Sequence, residues 1–401
     1  MLKGVLFMSV SLLKLNCSGL SNFTDGSLSI DFITEKRVTA DDLTDGVVSP
    51  LFGRVYKLNS IAFAGINATG KTTVLTLLSS LFQVFIGNGS LNYEMRFKSY
   101  FDSFLEVESF YYRDEDNCIY KLVSTIARDD TMRGLFFVSE RLYCKTATPE
   151  TNKGNLTVFS ETDLVLDRST VKNVFLKKED SIFSSIMNEY DQPGVMVHDL
   201  CSITNHNLIA SFTFGLIVPF AQYLDPSIEY IKVKDIPTEN ASRIVFEVKF
   251  KTQDSPVSVE PRDLELYLSS GTIKGISCLS SIAIALKYGG YVLIDEIENH
   301  LNKTIAIGLI ELFSGGINKN RATLLFSTHY SEILDCVGRS DSIYLLDKDD
   351  FIRIRKFSVA AGTKDRKDKR KSDLILSGVL SKAPSYPAYR RLVKSLDAFI
   401  S

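Results

Sequence analysis

At 401 residues, 45% hydrophobic and 23% charged, the chain has the length for one large domain with insertions or two modest ones, and it can bury a sizeable core. A formal net charge of −2 excludes a global field drawing it to nucleic acid or acidic membranes, so any such contact must come from a local patch. Six scattered cysteines without a C-x-x-C pair, and only four histidines, argue against disulfides and zinc and fit a reducing cytosol.

The apolar run after Lys3 has the look of a short signal sequence, but Lys14 interrupts it and no small-residue cleavage site precedes Cys17; it reads as a first β-strand. Charges break every other apolar run well short of the ~20 residues a membrane helix needs, so a cytoplasmic location and no membrane role are expected. Residues 11–16 and 27–32 alternate like strands around the turn at Asp25-Gly26, and 36–56 read as polar loop. Ser60-Ile-Ala-Phe-Ala is a buried strand running into a glycine-rich loop, and the apolar stretch Thr73 to Phe85 is the following helix. Period two returns from about 98 to 146, which predicts an antiparallel sheet. Helical stretches are expected near 180–190 and 206–223, and a strand over 243–250. From 274 onward helix and strand alternate: a helix to 288, a strand at Tyr291-Val-Leu-Ile, a helix over 303–313 and a strand at 322–327. That order argues for a parallel sheet with βαβ crossovers. No heptad pattern or fixed repeat is present, and the run Lys364 to Lys371 reads as a solvated charged loop.

Four motifs carry chemistry. Gly65-Ile-Asn-Ala-Thr-Gly70-Lys71-Thr72 matches G-x-x-x-x-G-K-[ST] without deviation. Its glycines let successive backbone N–H groups face phosphates, and the helix N-terminus adds partial positive charge. Lys71 is expected on the β- and γ-phosphates of ATP and the Thr72 hydroxyl on Mg²⁺. Asn67, Ala68, Thr69 and Thr73 belong to the same nucleotide-binding set. The strand Tyr291-Val-Leu-Ile ends in Asp295, a candidate Mg²⁺ ligand, and Glu296, a candidate base for the attacking water. A further strand ends at His329, placed to bond the γ-phosphate. Leu268-Ser269-Ser270-Gly271-Thr272 opens a helix, where small residues make an anion-binding edge that is ordinary loop chemistry when taken alone.

In the chain order glycine loop, Ser-rich turn, Asp-Glu and His, the four motifs resemble the ABC-type ATPase heads of the Rad50/SMC/RecF class, whose P-loops share the form Gly-x-Asn67-x-x-Gly-Lys. The turn Leu-Ser-Ser-Gly-Thr272 and the run Leu-Ile-Asp295-Glu296-Ile-Glu298-Asn-His-Leu301 look like the bacterial AAA_21/AAA_15-type ATPases of abortive-infection, anti-phage systems. Phe137 to Tyr143 and Gly338 to Lys348 are similar to segments of that family, while 150–250 is largely unmatched. The resemblance implies an α/β P-loop NTPase fold of ABC-ATPase type, with a mixed central sheet, an antiparallel β flank and a helical lateral insert. Residues 1–149 and 251–401 would form the two parts of the head and 150–250 the insert. It also implies that Ser269 and Gly271 cross to the γ-phosphate of a partner head, giving a homodimer or higher homo-oligomer. The turn departs from the transporter pattern Leu-Ser-Gly-Gly-Gln at Ser270 and Thr272, and neither Gln83 nor Gln222 has the place of a Q-loop glutamine.

The chain after His329 has no acidic, zinc or histidine constellation of a nuclease, so an anti-phage switch would need a separately encoded effector, a nuclease or toxin. The alternative is a RecF/SMC-like DNA-repair ATPase, in which nucleic acid binds at the basic run 364–371.

Overall fold

The computed structural model describes residues 10–87, 89–93, 95–129, 134–171, 176–189, 195–201, 217–237, 242–299, 301–366, 369–375, 377 and 386–400. Among them the strands form four sheets. An antiparallel sheet contains β1 Val10–Leu20, β2 Ser27–Asp31, β6 Phe101–Arg113, β7 Cys118–Asp129, β8 Gly134–Thr146 and β9 Leu164–Asp167, in the order β2-β1-β6-β7-β8-β9. A hairpin pairs β3 Val48–Phe52 with β4 Val55–Leu58. The central sheet holds β5 Ser60–Ala64, β10 Val197–Asp199, β14 Tyr291–Ile294, β15 Thr323–Thr328, β16 Ile343–Lys348 and β17 Ile352–Lys356, in the order β10-β14-β15-β5-β16-β17. Its first five strands run parallel and β17 returns antiparallel. The fourth sheet, a small separate unit, holds β11 Ile228–Pro237, β12 Ser242–Phe250 and β13 Val257–Val259.

The short apolar strands of the central sheet are buried on both faces, and side-chain alternation divides them between two cores. Ile61, Phe63, Tyr291, Leu293 and Leu325 point into a core shared with Leu12, Leu15 and Ile30 of the antiparallel sheet. The helix Lys71–Phe85 is sandwiched there, contributing Val74, Leu77, Leu78 and Leu81, so an amphipathic stripe gives way to burial on almost every side. Ala62, Ala64, Val292, Ile294, Leu324 and Phe326 face the opposite way, onto the helices Ser270–Tyr288 and Lys303–Glu311. A satellite core joins helix Ile217–Leu224, the β11–β13 unit and the first half of helix Ser270–Tyr288.

The α/β architecture, the mixed central sheet and the antiparallel flank expected from the sequence are present. The segment 150–250, expected as a helical insert, is mixed in its described residues. It supplies β9 to the antiparallel sheet, β10 to the edge of the central sheet, and β11, which pairs with β12, the strand expected over 243–250, besides helices Ile182–Glu189 and Ile217–Leu224. The residues of 228–250 alternate apolar and charged side chains, and a two-residue period favours strands over helix. Residues 36–56 are likewise more ordered than a loop, with helix Ala40–Thr44 and β3. Positions 1–9 of the expected first strand, 206–216 of the second helical stretch and 367–368 of the basic run lie outside the described residues.

A buried ion cluster ties the N-terminal part to the segment after His329. Arg339 grips Asp341 with two bonds of 2.8 and 2.7 Å, bonds Asp42 at 2.7 Å and donates to the Lys36 carbonyl at 3.0 Å. Burial pushes the Asp341 carboxyl up, but the hydrogen bonds and charge of Arg339 and the backbone N–H groups of Lys36 and Glu35 outweigh it and hold it below the ordinary aspartate value of 3.8. Removing the guanidinium strands two buried carboxylates, so Arg339→Met should cost about 3–5 kcal/mol in denaturant unfolding. A depressed folded-state pKa stabilises above the unfolded value and is lost as pH falls below it. The wild-type chain should therefore lose stability on acidification below about pH 4, and Arg339→Met should show a flatter acid limb when melting is followed against pH.

Candidate functional site

Three strands of the central sheet deliver the candidate residues to their C-terminal ends, the edge where parallel α/β sheets gather ligands. β5 runs into the loop 65–70. There Gly70 is left-handed at φ 94°, and a Cβ on it would come 2.5 Å from the Ile352 side chain. A Cβ on Gly65 would meet the Leu346 carbonyl at 2.5 Å and the Thr69 hydroxyl at 2.6 Å. Both positions therefore require glycine, for strain at one and close packing at the other. Ile66, Asn67 and Ala68 form the exposed tip of the loop, with Ala68 also left-handed at φ 65°. Thr69 is buried and donates to the Ile66 carbonyl at 2.8 Å.

The helix Lys71–Phe85 starts directly on this loop. The Lys71 ammonium donates to the carbonyls of Gly65 and Ile66 at 2.8 and 2.9 Å, bracing the loop from inside. Burial pushes it below the ordinary lysine range, while the carboxylates of Glu296, Asp295 and Glu298 pull the other way. Thr72 is exposed, and its hydroxyl donates to Asp295 Oδ2 at 2.6 Å across 223 positions of sequence. Thr73 is half-buried one position on, with no hydrogen bond to the acids among those described.

Asp295 and Glu296 follow β14. The Ser327 hydroxyl of β15 donates to Asp295 Oδ1 at 2.5 Å and accepts the Glu296 backbone N–H at 2.7 Å. Glu296 sits in the left-handed region at φ 46°, a conformation that costs a non-glycine residue on the order of 1–3 kcal/mol and is concentrated at functional sites. The Ser327 bond to its N–H, the Asn299 N–H on its carbonyl at 2.7 Å and the Ile297 N–H on the Ser327 carbonyl at 3.0 Å hold the turn in that shape.

β15 lies between β14 and β5 and ends beside the glycine loop, the Gly65 N–H reaching the Thr328 carbonyl at 3.4 Å. His329 is the next residue. Its backbone N–H and its Nδ1 both meet Glu298 Oε1, at 2.8 and 2.9 Å.

The structure thus brings Gly65 to Thr72, Asp295, Glu296 and His329 to one edge. Ser269 is elsewhere: exposed at the start of helix Ser270–Tyr288, it caps its own helix by accepting from Thr272 N at 3.0 Å, with Thr272 Oγ1 at 2.9 Å. Gly271 is in the first turn of that helix. Two side chains that pattern reading passed over, Ser327 and Glu298, hold the site together. The hint for Ser327 was a hydroxyl inside an otherwise apolar buried strand, and for Glu298 a third acid three positions after Asp295. Gln83 donates to the Val197 carbonyl of β10 and Gln222 to the Glu229 carbonyl of the satellite unit.

No helix among the described residues is long and apolar enough to cross a membrane. No protein-family model matches the chain. No curated protein matches it either. Among solved structures, an SMC head bound to the C-terminal winged-helix domain of ScpA is similar over 86% of this chain and 96% of its own, at 11% identity and a TM-score of 0.47.

Proposed function

We propose that this chain is a Mg²⁺-dependent ATP hydrolase. The observation that carries the reading is the Thr72–Asp295 contact, which joins the end of a glycine loop to an acid pair at the sheet edge. The local chemistry suits the groups concerned. The hydroxyl and carboxylate 2.6 Å apart are oxygen donors of the kind Mg²⁺ selects, and a loop that tolerates no Cβ at Gly65 or Gly70 lets backbone N–H groups approach phosphates. When bound, Mg²⁺ would neutralise charge on the β- and γ-phosphate oxygens. Lys71 would turn from the loop carbonyls to the phosphates, Thr72 and Asp295 would hold the metal, and the Glu296 carboxylate would orient the attacking water and take its proton. His329 would face the γ-phosphate.

The turn at Ser269 and Gly271 supports a site completed between two copies closed head to head. Asn67 and the form Ser-Ser-Gly-Thr support a sensor or regulatory switch of an anti-phage system, acting through a separately encoded effector. In such a switch ATP-dependent closure changes which partner surface is populated. Purified full-length chain should release phosphate from ATP in Mg²⁺ and lose that activity in excess EDTA; EDTA-resistant turnover sinks the metal assignment. Cells carrying the chain with its neighbouring genes should resist phage and lose resistance with Lys71→Ala. Turnover raised steeply by DNA alone, without a protein partner, would instead support the DNA-repair reading.

A further inference from the structure

Glu298 has no role in the scheme above, yet its placement is specific. Its side chain is 3% exposed, and Oε1 receives two N–H groups of one residue, the backbone N–H of His329 at 2.8 Å and Nδ1 of the same imidazole at 2.9 Å. Oε1 accepts the backbone N–H and stands 2.9 Å from Nδ1, so a carboxylate at this position is the acceptor that suits a ring proton on Nδ1. The imidazole is 30% exposed and lies against the Tyr330 ring, centroids 4.6 Å apart. Two bonds to one oxygen fix both the peptide plane and the ring of His329.

We propose that Glu298 is the positioning residue of His329, holding the proton on Nδ1 and leaving Nε2 as the nitrogen that meets the nucleotide. The role in turnover rests on the hydrolase reading; the tautomer does not. The arrangement has a chemical consequence. With Nδ1–H committed to Glu298, a neutral His329 offers a lone pair at Nε2, and only the imidazolium offers an N–H there to a phosphate oxygen. It also links the acid-pair turn to the end of β15.

The test uses full-length chain labelled with ¹⁵N-histidine. There are four histidines, 198, 206, 300 and 329, and His329→Ala assigns the signal of interest. Long-range ¹H–¹⁵N spectra should show the Nδ1–H form for His329 in the wild type. That form should be kept in Glu298→Gln, whose amide oxygen can take both N–H groups, and lost in Glu298→Ala. Turnover should follow the tautomer: kcat reduced about tenfold to a hundredfold in Glu298→Ala with KM for ATP little changed, near wild type in Glu298→Gln, and no lower in Glu298→Ala/His329→Ala than in His329→Ala alone. If Glu298→Ala does not fold, Glu298→Asp, which withdraws the acceptor by one methylene, should show the same tautomer loss. An Nε2–H or averaged His329 in the wild type overturns the proposal, as does a double variant whose losses simply multiply. A wild-type chain with the Nδ1–H form but no Mg²⁺-dependent turnover would retire the hydrolase reading and Glu298's part in turnover with it, leaving the tautomer intact.

Discussion

Glu296→Gln should still bind ATP but turn it over about a thousandfold more slowly, the scale of a lost general base. The exchange is nearly isosteric, and the left-handed backbone at position 296 is held by the Ser327 hydroxyl on its N–H, a bond independent of the side chain. Asp295 keeps its bonds from Thr72 and Ser327, so the oxygens proposed to hold the metal stay in place. What is removed is the negative oxygen that would accept a proton from water. Because closure around ATP would no longer be reset by hydrolysis, the variant should also accumulate as an ATP-bound dimer, visible as a shift in mass by size-exclusion with light scattering. Unchanged phosphate release in Glu296→Gln would remove this residue from the base role.

Lys71→Ala should weaken ATP binding at least about a hundredfold, since charge-assisted hydrogen bonds to two phosphates are each worth about 1.5–3 kcal/mol. The lysine has a second duty that adds to the effect. Its ammonium braces the carbonyls of Gly65 and Ile66, and without it the loop loses two internal bonds while Asp295, Glu296 and Glu298 face one another with less compensation. Equilibrium binding of a fluorescent ATP analogue measures the loss; tight binding by Lys71→Ala would undo the assignment of the glycine loop. Thermal melting of the same variant separates a collapsed loop from a missing phosphate contact, because only the former lowers the melting point without nucleotide.

Much of the candidate site was legible in the linear chain. The glycine loop is local: turn, close backbone approach and helix start all fall within eight consecutive residues, so one pattern holds the whole device. Asp295-Glu296 and His329 were legible for a related reason, since apolar runs bounded by polar residues mark buried strands and the polar residues fall at strand ends. In the 228–250 hairpin the second strand was legible but β11 was not, because a short alternating segment has neighbours elsewhere in the chain that decide whether it pairs.

What sequence by itself determined is the inventory: a glycine loop, two acids, a histidine, and strands and helices alternating in the order that makes a parallel sheet. Tertiary structure alone decided who meets whom. The order β14-β15-β5 sets the acid strand, the histidine strand and the loop strand side by side, which brings Thr72 to Asp295 and the end of β15 to Gly65. It also assigned Ser327 and Glu298 their partners 31 or 32 positions away. A hydrogen bond needs its atoms within about 3 Å, and no periodicity along a chain encodes which distant strand will supply the second atom.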